Sequence, residues 1–390
     1  MKKRNAFILL VVVVVIIPMI MLTSCTKKAA TTPPAATPPQ SAETFRIGVA
    51  LPLTGSTAEE GTRIDKGARL AVKDINAAGG INGQKIELVE MDDRSDPKEA
   101  ANIANLFVAD KSIMACLADD NSSCSLAGAP IYNANHLVHI ATVSSSPKIS
   151  DAGPYTFRLG NSDVYTASFI VQIILDAGYK KIAILYENDD FGIGGFNVAK
   201  DALAKVGITP LVEEAYLLGE TKDFSTVITK MRNAGCESVL MLSDETELPA
   251  FATQCVQQDW KPFICSNGTF NSKVIELGGK NVEGIAGHSL FDPNHLSDKL
   301  TAFFKEYSVE YGGTMSADIN SPVGYDAVYM IADAMKDGAK TRDDIQKYLA
   351  TLKNFDGVCG ILSFDENGDV KIPLYRIVIK DGKFVPYTGK

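Results

Sequence analysis

Short apolar runs alternate with amphipathic stretches of about ten to fifteen residues along most of this chain, and no other feature constrains its fold as strongly. Residues 45–51 (FRIGVAL) read as a buried strand. The stretch that follows places Ile64, Ala68, Ala71 and Ile75 on one helical face, and Gly79 and Gly80 end that helix. Asn82-Gly83 turns the chain into a strand over 85–91. Asp96, Pro97 and Glu99 then mark a helix start as N-cap, first helical residue and third position after the cap, with Ile103, Ala104 and Phe107 facing inward. A strand over 113–118 follows. The second block repeats the plan: helix 164–177, strand 181–186, helix 195–205, strand 208–216, helix 224–234 and strand 238–242. Strands separated by helices predict βαβ units and parallel sheets, and two such blocks predict an α/β protein of two doubly wound lobes. Helices over 296–311, 322–335 and 342–352 complete the chain's last third, and a hairpin turning at Glu366-Asn367-Gly368-Asp369 is predicted to close it.

A length of 390 residues suits at least two domains. The net charge of -9 becomes -12 when Lys2, Lys3 and Arg4 are set aside, so the bulk charge offers nothing to a phosphate backbone and nucleic acid is not expected as a partner. Those three cations precede an apolar stretch from Ala6 to Leu22, which reads as an export signal. Leu22, Thr23, Ser24 and Cys25 resemble a bacterial lipobox, which implies cleavage before Cys25, its lipidation, and contact with a bilayer through that lipid alone. An uncleaved helical anchor is the alternative. Residues 26–43 hold four prolines without an apolar period and read as an extended spacer, with the remainder on the periplasmic or extracellular face. Cys116, Cys124, Cys236, Cys255, Cys265 and Cys359 form no CxxC and read as buried free thiols with at most one or two bridges.

Several enzyme classes lose support. Gly192-Ile193-Gly194-Gly195 has Asn197 where a dinucleotide-binding loop needs its third glycine, and neither GxxxxGK[ST] nor GxSxG occurs. Asp365, Asn367 and Asp369 have their glycine at the wrong position for a calcium loop, with Arg376 in place of the closing carboxylate. His136 and His139 lack a third metal ligand. No cofactor and no catalytic residue is expected.

Five segments occur in order: IGVALPLTG (47–55), GARLAVKDINAAGGINGQKIEL (67–88), DDRSDP (92–97), DFS (223–225) and GYDAVYM (324–330). Together they resemble the extracytoplasmic solute-binding proteins of the branched-chain amino-acid ABC-importer family, the leucine-binding type of type I periplasmic binding protein. The resemblance implies two α/β lobes joined by three crossover strands, near Leu159, Leu290 and Phe364, closing on a small ligand that is passed to an importer permease. It implies a first lobe of 44–160 with 291–362 and a second of 161–290 with 363–390. A ligand-sensing receptor of the same fold is the alternative function.

In open α/β sheets ligands bind beyond the carboxyl ends of the strands, where helix N-termini favour anions. The strand over 113–118 runs into Asp119, Asp120, Asn121, Ser122, Ser123 and Cys124, and the strand over 137–143 into Ser144, Ser145 and Ser146. These serine loops are the expected clamp for a ligand carboxylate, although serines there also suit helix caps. By family position Ser122 and Ser145 hold an α-carboxylate, with Ser123 and Ser144 beside them, while Val143 lends its carbonyl to an ammonium and Phe191 covers the ligand. Asp244 stands where leucine-type binders tend to have an aromatic residue, Asn267 where they tend to have a glutamate, and Ala118 replaces a usual glycine. Asp244 is either the ammonium's partner or a helix cap. The ligand is then an amino acid, or one of the amides, urea or aromatic acids bound elsewhere in the family.

Overall fold

The two blocks of alternating strands and helices fold into two sheets. The computed structural model describes residues 44–268, 270–312 and 319–389, so the export signal, Cys25 and the 26–43 spacer lie outside the described residues. Strands β1 (Phe45–Leu51), β2 (Ile86–Asp92), β3 (Ile113–Ala118), β4 (Val138–Ala141) and β5 (Thr156–Arg158) form a parallel sheet in the order β2-β1-β3-β4-β5. The second sheet contains β6 (Ile182–Glu187), β7 (Val212–Tyr216), β8 (Ser238–Leu242), β9 (Phe263–Asn267) and β10 (Ala286–Ser289), and repeats that order as β7-β6-β8-β9-β10. A separate ribbon pairs β11 (Phe355–Gly357) with β12 (Gly360–Leu362), and the antiparallel hairpin of β13 (Tyr375–Lys380) and β14 (Lys383–Pro386) extends the second sheet beyond β10.

Both faces of each sheet are covered, as near-continuous apolar strands require. Helices α1 (Ala58–Ala77), α2 (Pro97–Ala109) and α3 (Ser122–Ala134) connect the first strands; α4 (Asp163–Asp176), α5 (Asp190–Ala204), α6 (Ser225–Asn233), α7 (Glu247–Gln257) and α8 (Ser272–Gly278) serve the second sheet. The last three, α9 (Asp298–Tyr311), α10 (Asn320–Lys336) and α11 (Arg342–Thr351), belong with the first sheet, where Val323, Ile331, Ile345 and Leu349 share one core with Ile47, Ala68 and Leu117. The predicted face of α1 is buried at Ile64, Ala68, Ala71 and Ile75. Two motif glycines explain how closely α1 and α10 approach: a methyl on Gly67 would strike the Ser321 carbonyl, and one on Gly324 would strike the Ile64 carbonyl.

Two expectations are corrected. Helix α5 starts at Asp190, five residues before the predicted start, because the Asp189 carboxylate accepts the Gly192 N–H at 2.8 Å and caps it. The glycine run disguises that start, since glycine is a poor helix former; here Gly192 and Gly195 allow close contact with Glu187 and Leu242. The turn at 365–369 forms but closes no hairpin: Asp365 accepts the Asn367 and Asp369 N–H groups, and Asp369 then bridges in parallel to Arg158. The terminal hairpin turns instead at Asp381-Gly382, both with positive φ. The six described cysteines are free thiols, five of them buried.

The chain passes between the sheets after β5, after β10 and after β12, and Leu159, Leu290 and Phe364 lie on those passages, all buried. The Asn161 side chain cross-links the first passage to the third, donating to the Ile372 carbonyl at 2.9 Å and accepting the Ile372 N–H at 2.8 Å. Beside it the fully buried Arg158 grips the Asp369 carboxylate with two bonds, Nε to Oδ1 at 2.9 Å and Nη2 to Oδ2 at 2.6 Å, and donates to the Ser146 carbonyl and the Ser150 hydroxyl. Removing one partner of a buried ion pair strands the other charge. Asp369→Ala should therefore destabilise the protein by about 3–5 kcal/mol in equilibrium denaturation; a loss under about 1 kcal/mol would show that the guanidinium does not depend on Asp369.

Candidate functional site

Because the five parallel strands of each sheet are ordered alike, the carboxyl ends of those strands converge on one cavity. The first sheet contributes Asp120, Asn121 and Ser122 after β3 and Val143, Ser144 and Ser145 after β4. The second contributes Glu187, Asp189, Phe191, Asp244, Asn267 and His288, with Asp163 and Thr166 of α4 between them. Glu60, Asn161, Leu290 and Ile319 complete the walls.

Of the residues singled out from sequence, Ser122, Val143, Ser144, Ser145, Phe191, Asp244 and Asn267 line this cavity together. Ser123 lies outside the lining. Its hydroxyl accepts the Asp190 N–H and donates to the Asp190 carboxylate, both at 3.1 Å, and so joins the two halves at the cavity's mouth. Lys148 reaches the same Asp190 at 2.7 Å, and Arg63 of α1 reaches Glu245 at 3.0 Å.

The serine hydroxyls mostly hold the loops. Ser122 accepts the Ser146 N–H at 3.2 Å, Ser144 donates to the Asp120 carbonyl at 2.8 Å, and Ser145 donates to Asp163 at 2.9 Å. Neither Asn121, the N-cap of α3, nor Ser146, the cap of the following 3₁₀ turn, makes a side-chain capping bond. The start of α3, whose Asn121 and Ser122 line the cavity, thus carries no side-chain cap, which suits an anion.

Asp244 is not a helix cap, because Thr246 occupies that position before α7. The Asp244 N–H donates to Glu187 at 3.0 Å, while its carboxylate has no hydrogen-bond or salt-bridge partner among the described residues. Asn267 donates to Asp163 at 2.8 Å and accepts from His288 Nε2 at 3.2 Å. Sequence reasoning missed Glu60, Asp120, Asp163, Glu187, Asp189 and His288 as wall residues. A signal existed for some of them, since Asp120, Glu187 and Asp189 stand at or just beyond strand ends, the same rule that pointed to the serines. Glu60 and Asp163 sit in first turns of helices, where acidic residues are ordinary.

Among the described residues the cavity is thus lined by six carboxylates and by no lysine or arginine. Burial, then the charge of Asp93, pushes Asp120 up to about 8. Burial and the Glu187 charge hold Asp244 well above the carboxylate range, and Glu187 is raised by burial and Asp189. Asp163 rises to about 6 through burial, limited by the bonds from Asn267, Thr166 and Ser145. His288 is pushed down to about 4 by burial and is neutral. Among the described residues no group of three metal-ligating side chains could hold a metal ion.

Carboxyls whose folded-state values are raised keep more protons in the native protein than in the unfolded chain, so stability falls as pH rises between about pH 4 and pH 8. The ligand-free protein should melt at a higher temperature at about pH 5.5 than at about pH 8. Calorimetric scans check this, and a flat or inverted profile would mean that these carboxyls are ionised in the native state.

Comparison with known proteins agrees with this geometry. The Periplasmic binding protein family model matches residues 44–383. The chain is 31% identical over 334 residues to Leu/Ile/Val-binding protein homolog 1 of Brucella abortus (strain 2308), covering 84% of this chain and 88% of that protein. The branched-chain amino acid transporter substrate binding protein LivJ from Streptococcus pneumoniae, solved in complex with isoleucine, superposes with a TM-score of 0.81 at 25% identity over 87% of this chain and 97% of that one. The leucine binding protein LivK from Thermotoga maritima shares the fold, with a TM-score of 0.81 at 24% identity over 88% and 98% of the two chains. The chain therefore belongs to the periplasmic binding protein family, the extracytoplasmic solute-binding proteins of ABC transporters, which bind their solutes without catalysing a reaction.

Proposed function

We propose that this protein captures an amino acid in the cavity between its sheets and delivers it to an ABC-importer permease while tethered to the membrane through lipid on Cys25. The observation that carries the reading is the pairing of opposite recognition groups in one cavity. The uncapped first turn of α3 offers N–H donors to a carboxylate, and the unpartnered Asp244 carboxylate offers a partner to an ammonium. Together they suit a zwitterion better than an amide, urea or an aromatic acid. LivJ, solved with isoleucine, supplies a chemical precedent.

In this reading residues 44–160 with 291–362 move as one lobe and 161–290 with 363–390 as the other, closing like a hinge about the three passages. Ser122, Val143, Ser144 and Ser145 shape the carboxylate end, Phe191 covers the ligand, and Asn267 acts through its bond to Asp163. Ser123 serves closure through Asp190. The described residues include no helix long and apolar enough to cross a membrane.

Two measurements test the proposal. Asp244→Ala should weaken amino-acid binding by about 2–5 kcal/mol in calorimetry while the melting temperature holds; unchanged affinity would remove Asp244 from the ammonium's site. A labelled fatty acid should be incorporated into the wild-type chain and not into Cys25→Ser, and a mature protein that retains residues 1–22 without label would overturn the tether.

A further inference from the structure

The acceptors in this cavity outnumber what one α-ammonium can satisfy. Asp163 is saturated by Ser145, Thr166 and Asn267. Asp189 caps α5, and Glu187 accepts from Tyr216 at 2.9 Å and from the Asp244 N–H. Apart from Glu60 of α1, three acceptors remain among the described residues. The Asp244 carboxylate has no hydrogen-bond or salt-bridge partner among the described residues. Among the described residues Asp120 Oδ1 and His288 Nδ1 have no hydrogen-bond partner either, although their residues are only 5% and 9% exposed. The Asn267 amide donates to Asp163, so its oxygen takes the proton of His288 Nε2, which leaves Nδ1 of the neutral ring as an acceptor.

Buried acceptors without donors are costly, and uncompensated buried charge more so. A zwitterion with an apolar side chain brings one cation to this cavity, and that cation is balanced within the ligand by its own carboxylate. No lysine or arginine lines the walls to neutralise Asp120 and Asp244 together. A compact metal ion does not fill the role either, since no described cluster could hold one. Asp120 follows β3 and Asp244 follows β8, the same position in the two sheets, so the two carboxyls belong to opposite halves and line the same cavity.

We infer that the cavity selects an amino acid whose side chain ends in a second cationic group rich in N–H donors, an amine or a guanidinium, over a neutral branched-chain one. The inference rests on the amino-acid reading above and concerns the ligand's charge, whereas that reading concerns its class. Asp244 and Asp120 would share the two cations, and His288 Nδ1 would accept one further N–H.

The test is calorimetry on the full chain, unfolded and refolded to strip carried-over ligand, with L-lysine against L-norleucine and L-arginine against L-citrulline, each pair matched in shape. At least one basic member should bind on the order of 100-fold more tightly than its neutral counterpart. Asp120→Asn should reduce that ratio by about tenfold or more, and an unchanged ratio would overturn the charge inference. If leucine, isoleucine or a neutral counterpart binds as tightly as the basic amino acids, the charge inference is overturned while the amino-acid reading stands. If agmatine or putrescine, which lack a carboxylate, binds as tightly as arginine or lysine, the charge inference stands and the amino-acid reading falls. Absence of binding by every compound, on protein shown to be refolded, overturns both.

Discussion

The buried guanidinium of Arg158 is the interaction on which the rest of the structure depends. A cation removed from water is tolerated only when its donors are met, and here Nε, Nη1 and Nη2 all find partners. Those partners come from places that must be fixed relative to one another: the Ser146 carbonyl beside the serine loop, the Ser150 hydroxyl in the turn that follows, and Asp369 on the third passage between sheets. Backbone bonds reinforce the junction, with the Arg158 N–H on the Gly368 carbonyl at 2.8 Å. With Arg158 in place, Ser144 and Ser145 are held at the cavity wall while the second half is joined to the first through strands that leave from the same point.

The cavity inverts the logic of that junction. At Arg158 charge is matched inside the protein; between the sheets carboxyls gather with no basic side chain among the walls. The protein lowers the cost by raising the carboxyls' affinity for protons, as burial does at Asp120, Glu187 and Asp244. The contacts across its mouth differ in strength. Lys148 with Asp190 is solvent-exposed and worth at most about 1 kcal/mol, whereas Arg63 with Glu245 is mostly buried.

Much of the fold is legible in the sequence because sheet and helix periodicity are local properties. Strands β1, β3 and β8 coincide with their predicted bounds, and Asp96 caps α2 as read, accepting the Lys98 N–H. The strand-end rule also reaches part of the site, since any loop leaving the carboxyl end of a central strand is a candidate wall. It reaches the loops that hold Ser122 and Ser145, which do line the cavity, whereas Asp244 comes from the family resemblance. It also proposes Ser123, whose hydroxyl meets Asp190 instead, because the direction of a side chain in the first turn of a helix depends on what docks against that turn.

What the sequence by itself determined is therefore the order of elements, the parallel sheets, and the loops from which a site could be built. Each follows from backbone geometry and side-chain period over a few residues. What tertiary structure alone decided is which of those loops meet, and with what charge. Asp120 and Asp244 are separated by more than a hundred residues, and nothing local to either indicates that the other shares its cavity. The same holds for the bond between Asn267 and Asp163 and for the reach of Arg158 to Asp369. Coulomb energy depends on distance and burial, both of which exist only once the chain has folded, so the electrostatic character of the cavity is a property of the fold and not of any segment.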